Sequence, residues 1–310
     1  MNVTPAALDA IFYSFDTRFQ QALKAAAPFY GKVATETTSM GREERYAWMD
    51  RIPKMREWLG ERQMQNAAAR EQAIINKDYE LTMELDRNTI QDDRVGLFNP
   101  TVDMMGQQAA FWPDDLVVAA MQAGATSLNY DGQYFFDDDH PINMDDANSS
   151  TQSNKLTLAL SSDNYATARA AMMAYKGADG RPLQILPNLL VVPPALEKVG
   201  RLILNADMIA TQVTLTGPTY GAAMQTNVLK GTAELLVVPQ LANEATTWYL
   251  LDTSKPIKPF LFQLRKSPEF VYLNKPDSEN LFFRKKFIFG VDSRGAAGYG
   301  LWPLAAKCTP

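Results

Sequence analysis

The sequence predicts an α+β fold with mixed strands. Helical periodicity is clear near the N-terminus and in the middle of the chain, apolar strand patterns then alternate with helices, and strand patterns dominate the C-terminal region. The composition is that of an ordinary folded protein, with 46% hydrophobic and 21% charged residues. A chain of 310 residues can form one large domain or two medium ones.

The first segment predicts an amphipathic helix. Thr4 is a suitable N-cap, Pro5 is a suitable first helical residue, and Pro28 marks the end of the pattern. An apolar stripe at three- and four-residue spacing consists of Leu8, Ile11, Phe12, Phe15, Phe19 and Leu23. The pattern leaves two roles open for this helix: a docked core element, or an arm that packs on a neighbouring subunit.

A charge-rich region follows, from about residue 50 to residue 94. Large apolar residues are sparse from Gln63 to Asn76, and apolar and polar residues then alternate from Tyr79 to Leu85. The alternation predicts a half-buried strand on the far side of a long two-stranded excursion. Such a hairpin is not stable alone and has to lean on another surface.

Two helices are predicted next, separated by a proline. Asn99-Pro100 starts the first helix, and Trp112-Pro113 interrupts it because proline lacks a backbone N–H. The second helix runs from Asp114 to Ala123 and ends at Gly124. The Ser/Asn/Asp-rich stretch 145–154 predicts an exposed loop.

The remainder of the chain combines two further helices with many strands. The helices begin at Ser161 or Ser162 and at Pro193-Pro194. Strands are predicted at Leu189 to Val192, Leu235 to Val238, Thr247 to Leu251, Phe260 to Arg265, Phe270 to Leu273, Leu281 to Arg284 and Phe287 to Val291.

Few residues suggest a catalytic or metal-binding site. A single histidine and a single cysteine, Cys308, exclude an intrachain disulfide and a cysteine–histidine zinc site. The cluster Asp137-Asp138-Asp139-His140 has metal-ligand side chains, but neighbouring residues of an extended chain point to opposite faces, so an acidic turn is the better interpretation. Nucleophile elbows and phosphate-binding loops are absent from the sequence. The chain therefore looks unlike an enzyme, and we expect no cofactor and no bound metal.

Charge and hydropathy limit the possible partners. The formal net charge of −5 excludes a general basic face. The N-terminus has no leader pattern, and prolines interrupt the most apolar stretch, from Ile185 to Leu196. We expect a soluble protein that is made in the cytoplasm and has no membrane partner.

Several segments along the chain resemble the Mu-like phage major head subunit family. They are Trp48-Met49-Asp50-Arg51-Ile52-Pro53, Arg56-Glu57-Trp58-Leu59-Gly60, Tyr130-Asp131-Gly132-Gln133-Tyr134-Phe135-Phe136, Asp139-His140-Pro141, Val191-Val192-Pro193-Pro194-Ala195-Leu196-Glu197-Lys198, Lys258-Pro259-Phe260-Leu261-Phe262-Gln263, Phe289-Gly290-Val291 and Arg294-Gly295-Ala296-Ala297-Gly298-Tyr299-Gly300. No segment is diagnostic alone, but their common order and spacing make the resemblance specific.

The resemblance implies the Hong Kong 97-like major capsid fold, which has an N-terminal arm, an extended hairpin called the E-loop, a peripheral domain with a long spine helix, and an axial domain. We expect the arm at 1–45, the E-loop and its flanking strands at 46–94, the peripheral domain at 95–160, the axial domain at 161–244, and strands returning to the peripheral domain at 245–310. Within these bounds, the resemblance places the E-loop itself near residues 60 to 88.

The resemblance also implies a function. A major capsid protein forms hexamers and pentamers of an icosahedral head that encloses double-stranded DNA, which it contacts non-specifically. We expect a separate scaffold or protease protein, a portal and possible decoration proteins as partners, assembly in the host bacterial cytoplasm, and a final place in the virion. The expected contacts between subunits are Arg62, Arg70 and Lys77 on the hairpin and Phe12, Phe15 and Phe19 on the arm.

Two alternative functions remain open from the sequence. The first is a metal-dependent hydrolase that uses Asp137, Asp139 and His140. The second is a structural protein of a phage tail or tube, which would also assemble from many copies of one chain.

Overall fold

A computed structural model describes residues 4–46, 71–92, 95–214, 220–273 and 283–310. Six α-helices are present in these ranges, and short 3-10 turns connect several elements. The helices are α1 (Pro5–Ala25), α2 (Tyr30–Val33), α3 (Arg87–Gln91), α4 (Asn99–Ala123), α5 (Ser162–Met173) and α6 (Glu197–Asn205).

The strands are β1 (Ala34–Thr38), β2 (Glu43–Tyr46), β3 (Gln72–Ile75), β4 (Lys77–Asp86), β5 (His140–Pro141), β6 (Thr151–Gln152), β7 (Lys155–Leu156), β8 (Leu189–Val192), β9 (Met208–Thr214), β10 (Tyr220–Thr226), β11 (Glu234–Val237), β12 (Trp248–Leu251), β13 (Phe260–Leu273), β14 (Lys286–Tyr299) and β15 (Ala305–Cys308). Helices and strands are mixed along the chain, so the predicted α+β class is confirmed.

The main sheet has four strands in the order β1-β13-β14-β4. Two 14-residue strands, β13 and β14, form its antiparallel centre, from the pair Phe260–Tyr299 to the pair Leu273–Ile288. The predicted strands at 260–265 and 270–273 are one strand, because β13 continues through register shifts between Leu264 and Glu269.

The second sheet has five strands in the order β11-β8-β12-β15-β7. Every residue of β8 and β12 is buried, as expected for central strands that are covered on both faces. The C-terminal region 245–310 is divided between the two sheets. Its strands β12 and β15 lie in the second sheet, and only β13 and β14 lie in the main sheet.

Helix α4 is continuous, so the prediction of two helices separated at Trp112-Pro113 is wrong. Pro113 lies inside the helix and is buried. Packing outweighs the lost hydrogen bond, because residues on both sides of the proline, such as Met105 and Val117, belong to buried clusters. Asp114 follows the proline, and its carboxylate accepts the backbone N–H groups of Phe29 and Tyr30 at 3.2 and 2.6 Å.

Helix α1 packs against its own chain. Phe12, Phe15 and Phe19 are almost completely buried. The Phe12 ring stacks on the ring of Tyr272 with 4.9 Å between centroids, and the Phe19 ring lies 5.7 Å from that of Phe270. In this conformation the three phenylalanines cannot contact a neighbouring subunit, because the chain's own sheet covers them.

Two further contacts hold α1 on α4. Arg18 forms a bidentate ion pair with Asp103, with Nε 3.1 Å from Oδ1. At Gly106 the two helices approach so closely that a Cβ atom there would lie 2.6 Å from the carbonyl oxygen of Phe19 and 2.7 Å from Cβ of Ala22. Helix α1 is therefore a core element in this structure, not a free arm.

Strand β4 belongs to the main sheet, not to the excursion. It pairs along its length with β14, from Lys77 opposite Gly295 to Asp86 opposite Lys286. The predicted half-buried strand is confirmed, but the hairpin near 60–88 is too long at its C-terminal end. The far strand of the excursion is β3, which pairs with β2.

No helix in the described ranges is both long and apolar enough to cross a membrane.

We predict that Gly106→Ala lowers the free energy of unfolding by about 1–3 kcal/mol, because the added methyl group overpacks the contact between α1 and α4. Gly31→Ala is the matched control, since Gly31 also lies in a helix and an added Cβ would have no neighbour within 4 Å. Urea unfolding of both variants measures the effect, and equal stabilities would contradict the close approach.

Candidate assembly surfaces

The base of the excursion lies on the main sheet. Strands β2 and β3, the hairpin base, pair from Glu43 opposite Ile75 to Tyr46 opposite Gln72. The chain leaves this base after Tyr46 and returns before Glu71. The predicted contact residues Arg62 and Arg70 fall between these points and lie outside the described residues.

The main sheet has two different faces. The helix face carries Phe262, whose ring lies 5.5 Å from that of Trp112 in α4. The hairpin face carries Gln263, which hydrogen-bonds to Tyr46 of the hairpin base. Successive residues of a strand point to opposite sides, so Phe262 and Gln263 define the two faces.

Small residues in β14 allow both faces to be approached closely. On the helix face, a Cβ atom at Gly295 would lie 3.0 Å from the ring of Trp112. On the hairpin face, a Cβ atom at Gly298 would overlap the side chain of Ile74 in β3. The Gly-Ala-Ala-Gly segment thus has a packing role: it brings α4 and the hairpin base close to opposite faces of one strand.

A buried polar network fixes the hairpin base on the sheet. The Tyr46 hydroxyl donates to Gln263 Oε1 at 2.9 Å and also contacts Thr37 Oγ1 at 2.8 Å. Gln263 Nε2 donates to Asn76 Oδ1 at 2.7 Å, and Asn76 Nδ2 donates to Ser39 Oγ at 2.7 Å. Buried polar groups have to be paired, so this chain of bonds favours one position of the hairpin base.

The turn before β2 is closed by Glu44. Its carboxylate accepts the backbone N–H groups of Met40 and Gly41 and the hydroxyl of Ser39. Hydrogen bonds from Met40, Ser39 and Gly41 lower the pKa of Glu44, because they stabilise its charged form. The turn is therefore held with an ionised carboxylate at neutral pH.

Charged pairs continue along the outer side of the hairpin base. Arg45 contacts Glu43 on its own strand at 3.2 Å and Glu71 across the base at 2.9 Å. These side chains are largely exposed, so the pairs set register more than stability. The pair between Arg45 and Glu71 thus joins the two sides of the hairpin base.

The predicted contact residues that the structure describes, Phe12, Phe15, Phe19 and Lys77, do not form one surface. Phe12, Phe15 and Phe19 lie together over the end of the sheet where β14 contributes Phe287 and Phe289. Lys77 is exposed at the other end of β4, opposite Gly295. The structure therefore separates the phenylalanine cluster from the position where the hairpin base joins the sheet.

The acidic cluster does not converge on a metal site. His140 is completely buried, with Nδ1 2.6 Å from Asp131 Oδ2. Asp137 accepts the backbone N–H of Tyr134, and Asp138 accepts the Ser153 hydroxyl. Within the described ranges, no group of three or more His, Cys, Asp or Glu side chains is arranged to hold a metal ion.

An apolar groove crosses the helix face beside α4. It has a volume of about 210 Å³ and is lined by Tyr79 and Leu81 of β4, Trp112 of α4, and Val291 of β14. The indole N–H of Trp112 is buried without a hydrogen-bond partner. This volume is smaller than the usual 300–1,000 Å³ of small-molecule sites.

The sequence patterns did not indicate the polar residues of the buried network that holds the hairpin base. Gln263 gives a weak signal, because it is the single polar residue within the apolar run from Phe260 to Leu264. Its partners Tyr46 and Asn76 are far away along the chain, and no local pattern connects them.

Comparison with solved structures identifies the class of protein. The chain aligns with the procapsid subunit of bacteriophage JBD30 at 30% identity and a TM-score of 0.63, covering 99% of this chain and 76% of that one. The fold is thus the Hong Kong 97-like fold of phage capsid proteins, as the resemblance implied.

The particular family follows from a sequence profile. The profile of the Mu-like prophage major head subunit gpT matches residues 8–159, 155–241 and 242–309, so the chain belongs to this family. It is 28% identical over 305 residues to the major capsid protein of Escherichia phage Mu, covering 98% of this chain and 74% of that protein.

A second relative supports the same conclusion. The FluMu major head subunit of Haemophilus influenzae is 29% identical over 306 residues, covering 98% of this chain and 73% of that protein. The chain is therefore a structural head protein and not an enzyme.

We predict that Gln263→Met destabilises the subunit by about 1–3 kcal/mol, because it removes the buried acceptor of the Tyr46 hydroxyl bond and the buried donor to Asn76 Oδ1. Gln107→Met, at an exposed position of α4, is the control for the same chemical change. Denaturant unfolding compares the two variants, and a neutral Gln263→Met would show that the network does not hold the hairpin base.

Proposed function

We propose that copies of this major head subunit assemble into hexamers and pentamers of an icosahedral shell that encloses double-stranded DNA. The observation that carries the proposal is the family match, which extends over nearly the whole chain and over both sheets. We assign the main sheet with α4 to the peripheral domain and the second sheet with α5 and α6 to the axial domain.

The hairpin is the proposed contact between subunits. Residues 47–70 are connected to a base that is fixed on the hairpin face of the sheet. A hairpin of this length can reach about 35–40 Å when extended. We propose that residues 47–70 form this hairpin and that its surface is buried against a neighbouring subunit.

The composition of residues 47–70 suits such a contact. The segment contains large apolar residues, including Trp48 and Trp58, which are favoured at the centres of interfaces. Its basic residues are Arg51, Lys54, Arg56, Arg62 and Arg70, and its acidic residues are Asp50, Glu57 and Glu61. Complementary charges at the rim would select the register between subunits.

The net negative charge of the chain supports a role in a shell that encloses DNA. A net charge of −5 does not favour tight binding to a polyanion, so contacts with the packaged DNA would be weak and non-specific. A lining of this kind allows the DNA to move during packaging and release.

The proposal includes other head proteins. The similar JBD30 chain is a subunit of a procapsid, a precursor shell. We infer that this chain also forms a precursor with a separate scaffold or protease protein in the host bacterial cytoplasm. A portal would admit the DNA, and decoration proteins would bind the finished shell.

The two alternatives have no support. A hydrolase would need Asp137, Asp139 and His140 to converge, but the buried His140 contacts Asp131 and Asn154 instead. The similar proteins are head subunits and not tail or tube proteins.

We predict that a short Gly/Ser linker in place of residues 50–67 leaves a folded subunit but abolishes closed shells. The change keeps β2, β3 and β4, so the core of the subunit is preserved, while the proposed contact with the neighbour is lost. Circular dichroism and thermal unfolding check the fold, and sedimentation with electron microscopy checks assembly. Normal shells from this variant would refute the role of the hairpin.

We predict that charge reversal at Arg62, Arg70 and Lys77 weakens assembly most strongly at low salt. Rim charges are screened beyond a Debye length of about 8 Å at physiological salt, so wild type and variant should become more alike as salt increases. Reversal of the exposed residues Lys24, Arg87 and Lys176 is the control, because it changes the net charge equally. Sedimentation measures the fraction of each triple variant that assembles. An equal loss of assembly in both variants would show that the effect comes from net charge alone.

A further inference from the structure

A second hairpin follows α6 and is separate from both larger sheets. Its strands β9 and β10 pair from Met208 opposite Thr226 to Thr214 opposite Tyr220. Within the described ranges they form a sheet of two strands, and neither strand joins the main sheet or the second sheet. A two-stranded hairpin is only marginally stable alone, so the β9–β10 hairpin needs another surface to cover it.

A buried asparagine joins the β9–β10 hairpin to α6. Asn227 Nδ2 donates to the carbonyl oxygens of Ile203 and Ala206 at 2.8 and 2.9 Å. These carbonyl groups lie at the C-terminal end of α6, where a helix leaves them without a partner. The backbone N–H of Asn227 also donates to the carbonyl oxygen of Asp207 at 2.9 Å, across the base of the hairpin. The hairpin is therefore held at a fixed position on α6.

One face of the β9–β10 hairpin carries exposed methionines. Met208 lies opposite Thr226, and Met224 lies two residues before Thr226 on the same strand, so both methionines point to the same side. Their exposed fractions are 49% and 63%, and Val228, just beyond the strand, is 78% exposed. Exposed apolar side chains grouped on one short element indicate a surface that a partner covers.

The same segment has no charged residue. From Met208 to Leu229 the sequence contains no Asp, Glu, Lys or Arg, although 21% of the whole chain is charged. Charges return at the base of the hairpin, where Lys230 forms an ion pair with Asp207. Exposed strand edges are normally protected from association by charged side chains, lysine above all. The β9–β10 hairpin lacks this protection, so it is suited to association with another chain.

The lack of charge favours a second copy of this chain as the partner. Around a rotation axis each residue approaches the same residue of the other copies, and equal charges placed there repel one another. A different protein would be selected by complementary charges and DNA by basic residues, but the segment offers neither. Methionine side chains are flexible, so one surface can adapt to rings of five and of six copies.

We propose that the β9–β10 hairpins of neighbouring copies meet around the axis of each hexamer and pentamer, where Met208, Met224 and Val228 of one copy pack against the hairpin of the next. The inference rests on the proposed function, because it assumes that the copies form such rings. It assigns a contact between subunits that does not involve residues 47–70. Because this contact is apolar, salt should not weaken it, in contrast to a contact between rim charges.

Opposite charges at one position of the full-length chain test the proposal. Met224→Lys and Met224→Glu each place equal charges around the axis, so neither variant alone should form closed shells. Co-expression of the two variants should restore shells, because Lys and Glu can then pair between neighbouring copies. A partner other than a second copy would accept one sign better than the other. Normal shells from either variant alone, or no recovery on co-expression, would overturn the proposal.

Met104 supplies the matched control, because it is 56% exposed on α4. Met104→Lys and Met104→Glu should assemble like the wild type. Circular dichroism and thermal unfolding check that all four variants fold, and sedimentation with electron microscopy measures the shells. An equal loss of shells in the Met104 and Met224 variants would contradict a specific contact at the hairpin.

Cross-linking supplies a second measurement that does not depend on a charged variant. The single cysteine of the chain, Cys308, is completely buried, so Met224→Cys adds the one accessible thiol. Treatment of Met224→Cys shells with a short bis-maleimide should give covalent dimers, and Met104→Cys shells should give none. Met224→Cys shells without dimers would overturn the inference and leave the proposed function standing. A wild type that forms neither rings nor shells would overturn both.

Discussion

The structure depends on how closely other elements can approach β14 from both sides. Gly295 faces Trp112 of α4, and Gly298 faces Ile74 of the hairpin base. Larger side chains would force apart elements that pack at the density of an organic crystal. The same constraint applies at Gly106, where α1 meets α4. Small residues at three points thus determine where the two long helices and the hairpin base lie, and the position of the proposed contact surface follows from them.

Buried polar networks complement this packing. Gln263 in β13 binds the hairpin base, and Asn154 connects the loop before β5 to the start of β15. The large buried side chains of the hairpin base are Tyr46 and Ile74, so burial alone would hold the base weakly. Buried hydrogen-bonding groups need their partners in defined directions, and this requirement selects one arrangement. These directional contacts keep the hairpin base in register with the main sheet.

Local patterns predicted much of the secondary structure but few of the long-range contacts. The stripe of Phe12, Phe15 and Phe19 predicted α1, and the alternation from Tyr79 to Leu85 predicted β4. Neither pattern showed which surface would cover the apolar side, because periodicity describes one element and not its partner. The break expected at Pro113 failed for the same reason: burial on both sides of the proline compensates for a lost hydrogen bond.

The sequence by itself determined the α+β class, the lack of residues for common catalytic sites, and the resemblance to a phage head family, since all three depend on residue types and their order. Only the tertiary structure decided that α1 is part of the subunit's own core, that β4 belongs to the main sheet, and that His140 is a buried partner of Asp131 and Asn154. These features arise from pairs of residues that are often far apart in the chain, and their energies come from burial and hydrogen-bond direction, which a linear pattern does not contain.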